Sequence, residues 1–267
     1  MPNLVVLVKQ VPEIDKVKFD TESGRIDRSS AKAEINPFDL NALEVAVQIC
    51  EKLGGTITAI SMGPPSAESA LRESLARGAS RAILLTDKKF SGADTLATSF
   101  TLASAIRKAG KFDLVLCGEK TVDGDTGQVG PEVGELLGVP QITYASELVE
   151  VTKEKIVVVS ETDEGSYLME SKFPLVITVT KGINRPRTPG LQDRLSAREA
   201  KVEVWDADSL ADVANAAKFG LAGSATKVIK VVVPSEKGRR GVFFEGDDAA
   251  IKLAKALNDE GLYGRGH

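Results

Sequence analysis

The sequence has a single histidine, and it is the last residue, His267. That scarcity excludes much chemistry: histidine triads, imidazole acid–base catalysis and histidine-containing zinc sites all lack their central group. Cysteine is nearly as scarce. Cys50 falls on a predicted helix and Cys117 at a predicted strand end, a spacing that gives neither a disulfide framework nor a metal site, so both read as small buried hydrophobes and no metal is expected. No apolar run approaches the ~20 residues that span a bilayer, and the acid in MPNLVVLVKQVPE stands too close for a secretory signal. The expectation is a cytoplasmic chain without membrane insertion. Neither GxGxxG nor GxxxxGK followed by Ser or Thr occurs, which removes the common dinucleotide fingerprint and the P-loop. A formal charge of -4 gives no global attraction for nucleic acid, and the cluster Lys237, Arg239 and Arg240 reads as a solvated loop.

What is present is a chain of 267 residues, 42% apolar and 27% charged, long enough to bury a sizeable core. Residues 4–8 (LVVLV) form a continuous apolar run, as in a parallel strand covered on both faces. Residues 16–27 alternate around a polar turn and predict a small hairpin. In NPFDLNALEVAVQICEKLGG, Asn36 is placed to cap a helix that Pro37 opens, Leu40, Leu43, Val47 and Cys50 share a face, and Gly54 stops it. Strand 56–61, helix 68–78, strand 81–85, helix 94–110 and strand 113–117 follow in strict turn. This alternation predicts an α/β fold, a doubly wound, mostly parallel Rossmann-like sheet with right-handed crossovers. Ligands of such sheets sit beyond the strand carboxyl ends, near the point where strand order reverses. Four segments land on that edge: 7–9, 36–39, 62–65 and 118–138.

From 141 to 179 the period changes, which predicts an antiparallel extension around an acidic turn. Residues 181–194 are rich in proline and glycine and predict neither helix nor ordinary strand. Beyond them, a strand at 227–233 and an amphipathic stretch at 247–261 lie in a tail with no core of its own. The expected division is a domain of residues 1–200 and a C-terminal arm, 201–267, that packs on something else.

The segment GEKTVDGDTGQVGPEVGELLG, residues 118–138, holds six glycines and two aspartates between a strand and a helix. Asp123-Gly124 marks a tight turn, and Gly127 and Gly130 remove side chains where a ligand approaches the backbone. Pro131 is placed to open the helix with Gly130 as its cap, aiming free N–H groups and the positive dipole end at an anion. That geometry suits a diphosphate. Asp123 and Asp125 would repel one, so they are assigned to ribose hydroxyls or to backbone N–H groups of the loop. On chemistry alone a nucleotide cradle and a purely structural loop both stand.

Val8-Lys9-Gln10-Val11-Pro12, Asn36-Pro37-Phe38-Asp39, Ser61-Met62-Gly63-Pro64 and the run DGDTGQVGP from Asp123 to Pro131, taken in order, resemble the beta subunit of electron transfer flavoprotein over residues 3–200. The resemblance implies an adenine-nucleotide site formed by Leu7 through its backbone, Asn36, Pro37, Phe38, Asp39, Met62, Gly118, Glu119, Lys120, Thr121, Val122, Asp123, Gly124, Asp125, Thr126, Gly127, Gln128 and Val129. Some members of that family hold a structural AMP there, and electron-bifurcating members hold a complete FAD. The compact DGDTGQVGP is similar to the second group, so FAD is the implied cofactor and AMP the alternative.

Further implications are flavin chemistry without a catalytic side chain, NADH as electron donor, and ferredoxin or flavodoxin as one acceptor. An alpha subunit is the implied heterodimer partner, with Glu161 near that interface and residues 201–267 as an arm around it. A dehydrogenase is implied to dock on the loop that carries Arg187, with Leu191 as anchor. Without the family, Glu161 reads equally as an exposed turn acid and Leu191 as a local core residue. A free-standing nucleotide-binding stress or signalling module is the rival from another class.

Overall fold

The computed structural model describes residues 1–12, 18–20, 25–27, 33–229 and 241–262. After β1 (Asn3–Leu7) come four short strands, β2 (Gln10–Pro12), β3 (Lys18–Asp20), β4 (Arg25–Asp27) and β5 (Ala33–Ile35). β2 pairs antiparallel with β5 and β3 with β4, the latter being the expected hairpin, whose turn lies outside the described residues. Alternation then gives α1 (Pro37–Leu53), β6 (Thr56–Met62), α2 (Glu68–Ala76), β7 (Arg81–Leu85), α3 (Thr95–Ala109), β8 (Leu114–Gly118) and α4 (Val129–Leu137). The strands β9 (Gln141–Val151), β10 (Lys155–Thr162), β11 (Gly165–Lys172) and β12 (Leu175–Val179) precede α5 (Leu191–Glu199), β13 (Glu203–Trp205), α6 (Gly220–Gly223) and α7 (Ala249–Asp259).

The main sheet has the order β11-β10-β9-β12-β8-β1-β6-β7-β13. Neighbours from β13 to β9 are parallel, and β10 and β11 add the antiparallel extension at one edge. The chain steps outward from β1 to β6 and β7, then returns to lay β8 on the other side of β1, so strand order reverses between β1 and β8. Successive residues of β1 face opposite sides, and both sides are covered. Leu4 and Val6 pack with Leu43, Val45 and Leu71 on one face; Val5 and Leu7 pack with Leu102, Ile106 and Val133 on the other. This explains why LVVL is apolar at every position. None of the described helices is long and apolar enough to cross a membrane.

Several expectations are corrected. β12 is parallel to both β8 and β9, and every residue of its LVITV, Thr178 included, is buried. α5 starts inside the segment expected to be irregular, where the Asp193 carboxylate accepts the Gly190 N–H at 3.0 Å and so caps a helix that begins at Leu191. The chain divides into compact units of residues 1–229 and 230–267; within the first, β13 joins the sheet beside β7 and Leu210 and Phe219 are buried, Phe219 edge-on to Phe90 at 5.1 Å. Residues 227–229 form no strand, and 230–233 lie outside the described residues, as do Lys237, Arg239, Arg240 and His267. The second unit, 230–267, contains α7, and none of its described residues is buried. Cys117 is buried as expected, whereas Cys50 is only half-buried.

α4 begins at Val129 with Gln128 before it, two residues ahead of the expected Pro131 start. Gly130 therefore sits inside the first turn. A Cβ there would stand 2.3 Å from Thr178 Cγ2 and 2.9 Å from Cys117 Sγ, so the missing side chain lets α4 press onto β12. We predict that Gly130→Ala costs about 1–3 kcal/mol through overpacking. Denaturant unfolding should show a lower midpoint at an unchanged slope; a wild-type midpoint would show that this contact does not constrain the fold.

Candidate functional site

Where β1 and β8 separate, Asp39 in the first turn of α1 spans the gap. Its Oδ2 accepts the Lys9 N–H at 2.8 Å and its Oδ1 accepts the Gly118 N–H at 3.0 Å, in a setting where Asp39 is 4% exposed. Burial pushes the carboxyl up to about 7, against the pull of those two N–H donors and of Asn36. Gly118 must be glycine, since a Cβ would lie 2.5 Å from Phe38 Cβ. Asn36 makes no side-chain cap to α1; its Nδ2 donates to the Lys120 carbonyl at 2.9 Å and its Oδ1 accepts the Val122 N–H at 3.2 Å. The Asn-Pro-Phe-Asp turn thus grips the glycine loop.

Within that loop the Asp125 N–H closes a turn onto the Thr121 carbonyl at 2.8 Å, and Asp125 (φ 51°) and Gly127 (φ 66°) adopt left-handed backbone. Both carboxylates meet lysines: Asp123 accepts Lys9 Nζ on both oxygens at 2.8 Å, and Asp125 pairs with Lys120 at 2.8 Å. Their repulsion toward an anion is locally neutralised.

A cavity of about 650 Å³ opens above these strand ends. Of the residues assigned by resemblance, Leu7, Asp39, Met62, Gly118, Glu119, Lys120, Thr121, Gly124, Thr126, Gly127, Gln128 and Val129 line it. Asn36, Pro37, Phe38, Val122, Asp123 and Asp125 are not in its lining, and three of them act on it through the bonds just described. Sequence reasoning missed the opposite wall, Phe90, Gly92, Ala93, Asp94, Thr95, Thr98 and Leu102, together with Thr226 and Val228. The β7–α3 connection was findable, because it too leaves a strand carboxyl end.

Two helices open onto the cavity, and they differ. At α3 the Asp94 side chain already accepts the Ala97 N–H at 3.0 Å, and it also accepts the Thr226 N–H at 2.8 Å. α4 has no side-chain cap, and its opening residues Gln128, Val129 and Gly130 line the cavity. The first N–H groups of a helix have no intrahelical partner, so this end can offer donors to an anion, near Lys9 and Lys120. Leu7, Met62, Phe90 and Leu102 supply an apolar wall of the kind that takes a planar base. The cavity can hold a phosphorylated nucleoside.

A second cavity of about 510 Å³ is lined by Glu119, Tyr144, Glu161, Thr162, Asp163 and Thr180. Burial raises the Glu119 carboxyl, Lys120 opposes that shift, and Asp125 and Glu161 add to it. Far from both cavities in sequence, Leu191 is 76% exposed and Leu195, one turn on, 44%, which removes the local-core reading of Leu191. Arg187 is tied down: Glu44 accepts from its Nε at 2.9 Å and Glu51 from its guanidinium at 2.7 Å.

We predict that Asp39→Asn loosens the strand junction, because an amide keeps one acceptor but turns an NH2 toward a backbone donor, a buried mismatch of about 1–3 kcal/mol. Between 3.8 and about 7 the folded chain keeps a proton on Asp39 that the unfolded chain has released, so this group's contribution to stability falls as pH rises through that window. Unfolding of both proteins across the window should show their stability gap narrowing as pH rises. A gap that widens would refute the buried-acid assignment.

Comparison with known proteins agrees with this geometry. Residues 23–210 match the family described as electron transfer flavoprotein domain. The chain is 43% identical over 259 residues to the electron transfer flavoprotein subunit beta of Thermoanaerobacterium thermosaccharolyticum, covering 96% of this chain and 98% of that protein. The subunit of the same name from Clostridium acetobutylicum is also 43% identical over 259 residues, covering 97% and 98%. Protein FixA of Bradyrhizobium diazoefficiens is 40% identical over 261 residues, covering 96% and 89%. Matched over most of its length, and carrying its cavity at the strand-order reversal of a doubly wound sheet, the chain belongs to the electron transfer flavoprotein family.

Proposed function

We propose that the chain is the beta subunit of a heterodimeric electron carrier that holds FAD in the cavity between β1, β8 and α4. The uncapped α4 N-terminus carries this reading, since it offers backbone N–H groups to a diphosphate while Lys9 and Lys120 stand at the loop. Bound there, FAD supplies hydride and single-electron chemistry; the chain binds, orients and shields it. Electrons enter from NADH in this reading and leave in two directions, one through a second flavin in an alpha subunit and the other to ferredoxin or flavodoxin. The C-terminal arm, expected over residues 201–267, packs on that alpha subunit in this reading, Glu161 lies near the interface, and the site of action is the cytoplasm. AMP is the second reading, favoured by a first cavity whose size already suits a small ligand by itself.

The deciding measurement is nucleotide content of the chain purified with its companion subunit. Two flavins per heterodimer are expected; one flavin with one AMP establishes the second reading, and no nucleotide at all refutes both. Gly127→Val should empty the site with the fold intact, because φ 66° is a strained conformation for a β-branched residue. Full occupancy in that variant would remove the loop from the site.

Leu191 is proposed as the anchor for a partner dehydrogenase. An exposed leucine opening a helix, on a segment fastened by Arg187, is presented at little ordering cost. Leu191→Ala should weaken partner binding about tenfold or more, since truncated anchors typically cost about 2 kcal/mol. Flavin content and reduction by NADH should stay at wild-type levels. Loss of NADH reduction with partner affinity intact would assign the loop to electron entry.

A further inference from the structure

Tyr144 has φ 54°, a left-handed backbone that a tyrosine rarely adopts. The strain is held in place by its surroundings. The register between β9 and β12 slips from Ile142↔Ile177 to Ala145↔Val179, so Thr143 and Tyr144 together oppose Thr178. The Tyr144 N–H donates to Thr178 Oγ1 at 3.0 Å, and Thr178 is 2% exposed. On the other side the Thr143 carbonyl accepts from Ser160 Oγ at 2.7 Å. Such a bulge re-aims a side chain, and strain that persists beside a cavity calls for a functional explanation.

The re-aimed ring stands where the two cavities meet. Tyr144 lines the second cavity, a side-chain carbon on Gly127 of the first would lie 3.5 Å from the phenol oxygen, and Glu119 lines both. Their charges differ. The first holds Lys9, Lys120 and the α4 N-terminus beside Asp39, Asp94 and Glu119, whereas the only charged side chains lining the second are the acids Glu119, Glu161 and Asp163. A ligand's phosphates are therefore retained in the first cavity, and only an uncharged part can extend into the second. An extension past Gly127 and Glu119 meets the tyrosine.

We infer that Tyr144 is a ligand-contacting residue whose ring packs against the conjugated ring at the far end of a dinucleotide whose phosphates occupy the first cavity, so that it selects dinucleotide over mononucleotide. This rests on the nucleotide reading above and adds a specificity residue to it. A flat phenol offers an apolar face and a hydroxyl at its tip, which suits a heteroaromatic ring with polar edges.

The test uses the full chain purified with its companion subunit, cleared of bound nucleotide and loaded with labelled AMP. AMP affinity and the FAD concentration that displaces AMP are measured for wild type, Tyr144→Phe and Tyr144→Gly; the glycine also suits the backbone conformation. Tyr144→Gly should bind AMP within about twofold of wild type but need about tenfold more FAD to displace it, the loss of one aromatic contact. Tyr144→Phe, which keeps the ring, should stay within about threefold on both. Displacement of AMP from Tyr144→Gly at wild-type FAD concentrations overturns the inference, as does equal weakening of AMP and FAD, which makes Tyr144 structural. Wild-type protein that binds neither ligand overturns the nucleotide reading, and this inference with it.

Discussion

The site depends on one buried carboxylate. Where parallel strands part at the reversal of a doubly wound sheet, the first N–H groups beyond them lose their strand partners, and leaving them buried and unpaired is costly. Asp39 accepts both, from Lys9 two residues past the end of β1 and from Gly118, the last residue of β8. It does so from the first turn of α1, where the helix dipole favours negative charge. Burial and these donors pull in opposite directions, which is why the carboxyl sits near about 7 rather than far above it. Three residues earlier, Asn36 extends the same grip to Lys120 and Val122. One turn of α1 thereby fixes two strand ends and the loop that closes the cavity.

The loop's own ion pairs have a different character. Lys9 and Asp123 are 43% and 31% exposed, and Lys120 and Asp125 39% and 67%. Pairs this exposed contribute little to stability, at most about 1 kcal/mol each. They neutralise the aspartates locally while leaving the lysines free to exchange partners cheaply. Rigidity comes from the buried Asp39 and Asn36 contacts, and adaptability from the exposed lysines.

Much of this was legible because the periods were clean. The alternation from β1 to β8 follows from apolar runs and helix stops, and the edge rule named the segments 7–9, 36–39, 62–65 and 118–138, each of which contributes residues to the lining of one cavity. What escaped depends on distant neighbours. LVITV, apolar but for Thr178, reads the same in either direction, and only its pairing with β8 and β9 makes it parallel. Gly130 looks like ligand space in sequence; Thr178, 48 positions away, makes it packing space. The Tyr144 conformation has no signature in its own residue type. β13 is three residues long, and its place beside β7 rests on the strand's pairing and on contacts such as the Arg81–Glu203 ion pair at 2.7 Å.

α1 also carries a buried polar side that an amphipathic reading does not anticipate. Asn41 donates to the Asn184 carbonyl at 2.9 Å, and Glu44, 6% exposed, accepts from both the backbone and the guanidinium of Arg187. A buried carboxylate without a partner would be strongly unfavourable, so Arg187 is required where it is. The segment that leads to Leu191 is therefore bolted to the same helix whose first turn builds the cavity. Asn36 and Asp39 act on one side and Asn41, Glu44 and Glu51 on the other, all within α1 and the residue before it. A rigid helix shared in this way keeps the exposed leucine at a fixed position relative to the strand ends that line the cavity.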